Sequence, residues 1–512
     1  MVAAGADDGT SCANAKSFGW ATNISNYGSG AGKISAGDTV HLCGRFTNAI
    51  WIRGSGSPGN RTTWKAESGM DVVMSRGVEG SCIYTDTNNF LTIDGNGTGR
   101  CEFTNNGTGL TYSLSSFPIA STPTLGDVEI KGWFVTNGYI HLTSDTRTEE
   151  AGSGIVMTVS GSTNCSIHNN HVSMCQLGVR FVASTATGRN SGLSQYSNTL
   201  DRCSHGFGGG TGGDNCHIDG LYVYNNNIDN AGVWQQANNY FHLNGGYYYS
   251  EASIVNAYIS NVFIFNNQIG PMTNVTDNTT ANIYLSASVD NDARIVNVFA
   301  FNNVLFGNIF SNGRLVWLNV WHSWTFNNTI NNPDAGNGLS FYVGTNHVFW
   351  DNIVSGAQTS FYGNGLPFQD WGLEFKFNNY SQNGGYWGDN GGPFNHWTNW
   401  TAVAPGYNYD QGSNTNDCQY VNEAGFNFHI PSGTNTAASG TGTNLTAWIN
   451  GQSATYPFLT NALRDIEGHL RPTSAPWSMG AYEPNYVADA SAPPAITLSG
   501  RQTLTGRQTL SR

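Results

Sequence analysis

The ionisable residues of this chain are few, and many of them are crowded together. Between residues 201 and 245 stand Asp201, His205, Asp214, His217, Asp219, Asp229 and His242. Two copies of one pattern lie 25 residues apart, His217-Ile218-Asp219-Gly220 and His242-Leu243-Asn244-Gly245. An imidazole beside a carboxylate in a groove serves as general base or acid. His217, His242, Asp219 and His205 are therefore the candidate catalytic residues. If 25 residues make one repeat, His217 stacks beside His242 and Asp219 beside Asn244. The same pattern also serves as the corner of a coil, its polar atoms bonding backbone groups at the bend. Asp94-Gly95 repeats that corner without a histidine.

Other side chains suggest other chemistry. Asp290-Asn291-Asp292 and Asp214-Asn215 offer oxygen ligands of the kind Ca²⁺ takes. Asp290, Asp292 and Asp214 are the candidate metal ligands, although such pairs also build ordinary loop turns. Calcium is the one ion suggested, and no other cofactor is expected. Glycoside hydrolysis needs two carboxylates at a suitable separation. Glu149-Glu150 and the pair Asp465 and Glu467 qualify by type, but the latter pair belongs to the closing coil and reads as structural. Trp234, Tyr247, Tyr248, Tyr249, Trp397 and Trp400 stand among Asn and Gly, where a ring can stack on a sugar. Directions alternate along a strand, so Tyr247 to Tyr249 cannot all face inward. These rings fill loop cores equally well.

The elements that position these groups must be built from unusual material. Of 512 residues only 11% are charged, 64 are Gly, and the net charge is -13. Lys16, Lys33, Lys65, Lys131 and Lys376 are the only lysines. A surface so poor in cations cannot neutralise many phosphates, so nucleic acid is excluded as a partner. Phe, Trp and Tyr make up 12%, which argues against disorder. Scarce charge argues against a coiled coil, and abundant Asn and Gly against helices in general. No apolar run is long enough for a transmembrane helix, so membrane insertion is not expected. The N-terminus lacks a basic region followed by an apolar stretch and does not read as a signal peptide. Either a signal has been removed or the protein reaches its site without one, as a virion protein would.

The nine cysteines contain no Cys-x-x-Cys pair, which argues against a zinc site. They can pair in sequence order, Cys12 with Cys43, Cys82 with Cys101, Cys165 with Cys175 and Cys203 with Cys216, leaving Cys418 odd. They can equally pack in a core as small apolar residues.

A short pattern recurs through the middle of the chain. It reads Ile167-His168-Asn169-Asn170, Val223-Tyr224-Asn225-Asn226, Ile264-Phe265-Asn266-Asn267, Ala300-Phe301-Asn302-Asn303 and Thr325-Phe326-Asn327-Asn328. It returns as Phe349-Trp350-Asp351-Asn352 and Lys376-Phe377-Asn378-Asn379. The last spacings are 36, 25, 24 and 27 residues. A period near 25 is one turn of a parallel β-solenoid. Each short strand alternates inward and outward, and Asn sits at the corner, where left-handed dihedrals are tolerated. Asn at equivalent corners can stack, each amide bonding the turns above and below.

With these motifs the chain resembles the right-handed parallel β-helix proteins, the superfamily of pectate-lyase-like and tailspike-like folds. Ile34-Ser35-Ala36-Gly37-Asp38-Thr39-Val40-His41-Leu42 is similar to the start of their first coils. Leu91-Thr92-Ile93-Asp94-Gly95 resembles one of their corners. Arg464-Asp465-Ile466-Glu467-Gly468, Arg471-Pro472 and Met479-Gly480-Ala481-Tyr482-Glu483 resemble the last coil of secreted members. The resemblance covers residues 30–483 and implies an all-β chain with a single right-handed parallel β-helix. At one turn per ~25 residues it implies about 14 to 16 turns and a rod ~70 Å long.

The expected organisation is an N-terminal cap over 1–33, a β-helix over 34–483 that is irregular and loop-rich over 383–460, a linker over 484–496 and a tail over 497–512. The tail repeats every six residues, with Leu498, Arg501, Leu504, Arg507 and Leu510 as candidate assembly residues. Such a strand can add to a neighbour's sheet edge. The fold hosts lyases, hydrolases, adhesins and viral spikes, so it does not settle function. The pectate lyase and polygalacturonase signatures are not visible. The expectation is a structural or glycan-engaging protein on the outside of a virion or cell, such as a tailspike, decoration, adhesin or filament subunit. Its expected partners are a polysaccharide or cell-surface glycan and other copies of itself through the tail. The alternative is a secreted polysaccharide lyase or glycoside hydrolase.

Overall fold

The computed structural model describes residues 6–486, except 77–80, 104–118, 137–152, 176, 184–188, 202, 204, 212–214, 230–240, 245–256, 271–281, 288–293, 308–314, 332–336, 358, 364–371, 382–385, 388–409 and 432–436. Every named strand pairing is parallel, and each strand bonds the strand one turn before and one turn after it. The chain thus winds through three sheet faces per turn. Face 1 carries the strands Thr62–Ala66, Leu91–Asp94, Val128–Lys131, Ser166–His168, Arg189–Tyr196, His217–Tyr224, Tyr258–Phe265 and Arg294–Phe301 among others. Face 2 is an 11-stranded sheet running from Arg45–Phe46 to Ile353–Ser355. Face 3 includes Leu177–Ala183, His205–Thr211 and Phe241–Asn244. Two long strands, Leu315–Phe326 and Asn337–Trp350, run from face 3 into face 1 without a break and join the two into one 22-stranded sheet. Twelve turns carry named strands among the described residues, and parallel bridges from Lys376 to Gln411 and from Asn379 to Asn414 begin another, fewer than the length suggests. The twelve span ~53 Å of rod. Long excursions between strands account for the difference, because successive ladder asparagines lie between 24 and 41 residues apart.

The corner after face 1 explains the repeated Asn-Asn. The first residue of each pair takes a left-handed conformation: Asn169, Ser197, Asn225, Asn266, Asn302, Asn327 and Asp351 have φ between 52° and 55°. The second points inward and is buried. Asn170, Asn198, Asn226, Asn267, Asn303, Asn328, Asn352 and Asn378 form a continuous ladder. In each step the Oδ1 of one Asn accepts both the backbone N–H and the side-chain amide of the Asn in the turn before, at 2.9–3.1 Å. The remaining amide hydrogen goes to a carbonyl, as Asn226 Nδ2 does to Gln195 O at 2.9 Å. All four hydrogen-bonding positions of the side chain are used. Inside the coil, columns of Ile, Val and Leu fill the space between the faces.

The ends and flanks are closed by irregular chain. Phe18, Trp20, Ala21 and Tyr27 pack on the first turns, and a disulfide joins Cys12 to Cys43. The other seven cysteines are buried thiols. Of the pairings in sequence order only Cys12 with Cys43 is a disulfide; Cys82 lies beside Cys101 and Cys175 beside Cys203 as free thiols. At the far end residues 437–486 run back along the outside. Arg471 and Glu483 form a fully buried ion pair. Arg471 also donates to Gly480 O at 3.0 Å and to Asn302 Oδ1 at 3.1 Å, while Glu483 accepts from the Ser478 backbone and hydroxyl. This knot fastens the segment to the coil stack and accounts for the Arg471 and Glu483 motif. No helix among the described residues is long and apolar enough to cross a membrane.

Two consequences can be measured. Asn226→Ala removes one rung and strands the amide and backbone N–H of Asn198 in a dry interior. It should cost about 2–4 kcal/mol in urea unfolding, whereas Asn450→Ala on an exposed helix position should cost less than about 0.5 kcal/mol. The second concerns His347. Its Nδ1 lies 2.7 Å from Ser323 Oγ, and its Nε2 is buried without a partner among the described residues. Burial, and after it the nearby His322, push the imidazole down to about 3. The unfolded chain therefore binds a proton below about pH 6.5 that the folded chain refuses. The associated stability is complete above that pH and is lost on acidification toward pH 3, by up to about 1.4 kcal/mol per pH unit. Between pH 6.5 and 5 the slope of stability against pH should be shallower in His347→Gln than in wild type.

Candidate functional site

The ladder fixes the phase of every turn, so outward side chains on face 1 line up in columns. One column runs Lys65, Asp94, Lys131, His168, Tyr196, Tyr224, Phe265, Phe301, Phe326 and Trp350. The next runs Thr92, Glu129, Ser166, Ser194, Tyr222, Phe263, Phe299 and Trp324. The first half of this strip is ionic and the second half aromatic. Rings stack in parallel at the coil spacing: His168 on Tyr196 at 4.3 Å, Tyr196 on Tyr224 at 4.8 Å, Tyr224 on Phe265 at 4.9 Å and Phe265 on Phe301 at 4.8 Å. The closing segment covers the later aromatics. Phe458 lies 4.2 Å from Tyr222, and Trp448 meets Phe326 and Trp350 edge-on. Phe263, Phe265, Phe299, Phe301 and Phe326 are buried, whereas Tyr196, Tyr222 and Tyr224 remain half-buried at the margin.

Glu129 is the centre of the ionic half. Its Oε2 accepts from Thr92 Oγ1 at 3.0 Å, Arg61 at 3.1 Å and Lys131 Nζ at 3.2 Å. Its Oε1 lies 2.8 Å from His168 Nε2. Arg61 also pairs with Asp127. The His168 hydrogen bond, then Lys131 and Thr92, hold the Glu129 carboxyl down at about 2 against the opposing effect of burial. Glu129 is thus an ionised anchor, because a general acid needs a raised pKa. His168 is buried, and its Nδ1 has no hydrogen-bond partner among the described residues. Burial first, and the Glu129 charge second, raise the Tyr196 phenol, and burial pushes Tyr224 up to about 12. Both phenols are therefore neutral donors at pH 7. The ring faces of Tyr196 and Tyr224 are taken by their neighbours, so the strip offers a ligand hydroxyls, ring edges and charges rather than an open stacking surface.

The sequence-derived candidates fare differently. His217 does not stack on His242. It lies on face 1 against Tyr258, at 5.3 Å, with Arg189 and Tyr258 as its register partners. The His242 backbone lies on face 3, paired with Gly208 and Tyr284. The reason is that a turn contains three strands, and the 25-residue offset from His217 to His242 falls short of the 41 residues between face-1 partners here. His205 is also on face 3, at the register of Leu177. Asp219 accepts from the side chains of Ser260 and Asn261, beside Gly220, whose φ is 82°, within the strand His217–Tyr224. Trp234, Tyr247, Tyr248, Tyr249, Trp397, Trp400, Asp214, Asp290, Asp292 and the tail residues Leu498, Arg501, Leu504, Arg507 and Leu510 lie outside the described residues. The Glu129 cluster was missed. Its signal was present: His168 occupies the ring position of the repeat, and Glu129-Ile130-Lys131 has the in-out alternation of the preceding turns.

No protein-family model matches the chain, and no curated protein matches it in sequence. Among solved structures it shows a distant likeness to a double mutant of the periplasmic alginate epimerase AlgG, with TM-score 0.35 and 11% identity over 70% of this chain and 77% of that one. XylC in complex with xylose gives 0.33 and 11% over 70% and 82%. The GH136 lacto-N-biosidase from Eubacterium ramulus gives 0.30 and 9% over 77% and 66%. The uniform parallel register, three faces per turn and the internal asparagine ladder settle the architecture: the chain is an all-β parallel β-helix protein.

Proposed function

We propose that this is a glycan-engaging protein, and that an acidic polysaccharide lies along the open half of face 1. The observation that carries this reading is the strip itself. Lys131, Ser166, Ser194, Tyr196 and Tyr224 present a cation and hydroxyls at the coil spacing, with Arg61 beside them, and the closing segment forms a wall at Tyr222. Cations meet a sugar carboxylate, and neutral phenols and hydroxyls meet its alcohols. A surface or secreted location fits the Cys12–Cys43 disulfide.

Titration calorimetry with a panel of acidic and neutral oligosaccharides tests this. An acidic member should bind, more weakly at high salt. Lys131→Ala combined with Tyr224→Phe should lower affinity about tenfold, roughly 1.4 kcal/mol. Equal affinity in the double variant, or no binding across the panel, would reject the site. A second reading, a polysaccharide lyase, is favoured by one observation: the phenol of Tyr196 stacked over a His168–Glu129 pair beside Arg61. It predicts ultraviolet absorbance from unsaturated uronates that Tyr196→Phe abolishes. Release of reducing ends without that absorbance would indicate hydrolysis.

The assembly role of the tail also stands as a proposal, resting on its period-six sequence. Deleting residues 497–512 should leave the far-ultraviolet dichroism of the rod intact and lower the mass measured by light scattering. An unchanged mass counts against assembly through the tail.

A further inference from the structure

Two thiols inside the coil sit one directly above the other. The face-2 strands His171–Ser173 and Thr199–Asp201 pair with Ser173 opposite Asp201, an offset of 28 residues. Past the corner, on face 3, Leu177 pairs with His205, again an offset of 28 residues. Nothing is inserted or lost between these two points. Cys175 and Cys203 therefore hold the same corner position in consecutive turns. Consecutive turns stack at about 4.8 Å, and the Cα atoms of a disulfide lie roughly 4.4–6.8 Å apart. The register thus sets the two cysteines at a separation that a disulfide spans.

The sulfurs meet. Cys203 and Cys175 share a hydrogen bond. Cys203 Sγ also lies 3.7 Å from Val172 O, a carbonyl of the earlier turn, and so leans toward its partner. Cys175 Sγ lies 3.4 Å from Ser173 O. The two residues are 3% and 1% exposed. Cys101 differs: its register partners are Met74 and Val135, so its contact with Cys82 does not come from stacking.

A thiol reacts as its thiolate. The hydrogen bond to Cys175, and after it burial, push the Cys203 thiol well above its usual range. The closed coil therefore keeps Cys203 protonated and shuts reagents out. Oxidation belongs to the folding chain, or to moments when this turn opens. A small-molecule disulfide such as oxidised glutathione is the oxidant. One cysteine thiolate attacks it and releases one small thiol, and the second cysteine thiolate then displaces the other. The two protein thiols lose two protons and two electrons, and the S–S bond of the oxidant takes them up as two thiols. The Cys12–Cys43 disulfide fits surroundings in which such an oxidant persists.

We propose that Cys175 and Cys203 are a disulfide site, and that oxidation staples two consecutive turns together. These are the turns that carry Ser166 and His168, then Ser194 and Tyr196, on face 1. The consequence for binding rests on the glycan reading above: the staple holds two rungs of that strip at a fixed spacing. The bond itself does not depend on that reading.

Full-length protein, reduced and denatured, is refolded in a mixture of reduced and oxidised glutathione and digested without reduction. Mass spectrometry should recover a pair of peptides joined through Cys175 and Cys203. This readout uses wild-type protein and does not depend on how a variant folds. In urea unfolding, reduction should lower the midpoint of the oxidised wild type more than that of Cys203→Ala refolded in the same mixture, because this bond cannot form in the variant. Recovery of Cys175 and Cys203 unlinked or joined to other cysteines, or equal drops in the two midpoints, would overturn the proposal. No readout involves a ligand, so the result stands apart from the calorimetry that tests the glycan reading.

Discussion

A coiled backbone with a dry interior must still give every corner N–H and C=O a partner. In this chain the asparagine amide meets that demand. Its two ends are complementary, so each rung accepts from one neighbour and donates to the other, as Asn226 does between Asn198 and Asn267. Aspartate would stack like charges, and serine is too short to span both partners. The ladder also needs a sharp bend just before it, which the left-handed residue supplies. Once these two positions are set, the phase of every turn is set, and all other columns follow.

That phase control is what turns a repetitive chain into a surface with distinct regions. The same outward column holds Lys131 and His168 at one end and Phe301 and Phe326 at the other. The aromatic end is covered by residues 437–486, whose own anchor is the buried Arg471–Glu483 pair. Breaking such a pair on one side would leave an uncompensated buried charge, so the cover is firmly seated. Among the described residues nothing covers the ionic end, where Arg61, Asp127, Glu129 and Lys131 gather.

The repeat was legible because Asn at a corner leaves a mark independent of its neighbours: seven of the motifs read from the sequence contain a ladder asparagine. The turn at Tyr196-Ser197-Asn198 escaped notice, because serine replaces the first asparagine there while Asn198 still makes its rungs. The site was less legible for a geometric reason. Turn length varies from 24 to 41 residues through excursions between strands, so linear spacing does not report which residues become neighbours. His217 and His242 share a pattern but not a face. Glu129 and His168, 39 residues apart, share a hydrogen bond.

Six thiols, Cys82 to Cys216, lie in the coil interior, each at most 3% exposed, while Cys418 lies in a separate cluster with Ile430 and Met479. The six are spread over several turns of the rod. An alkylating reagent can reach any one of them only when its own turn opens, and a solenoid can open locally because each repeat leans only on its neighbours. The chain therefore carries a built-in record of fraying. The pattern of labelled cysteines reads out which end of the coil comes apart first.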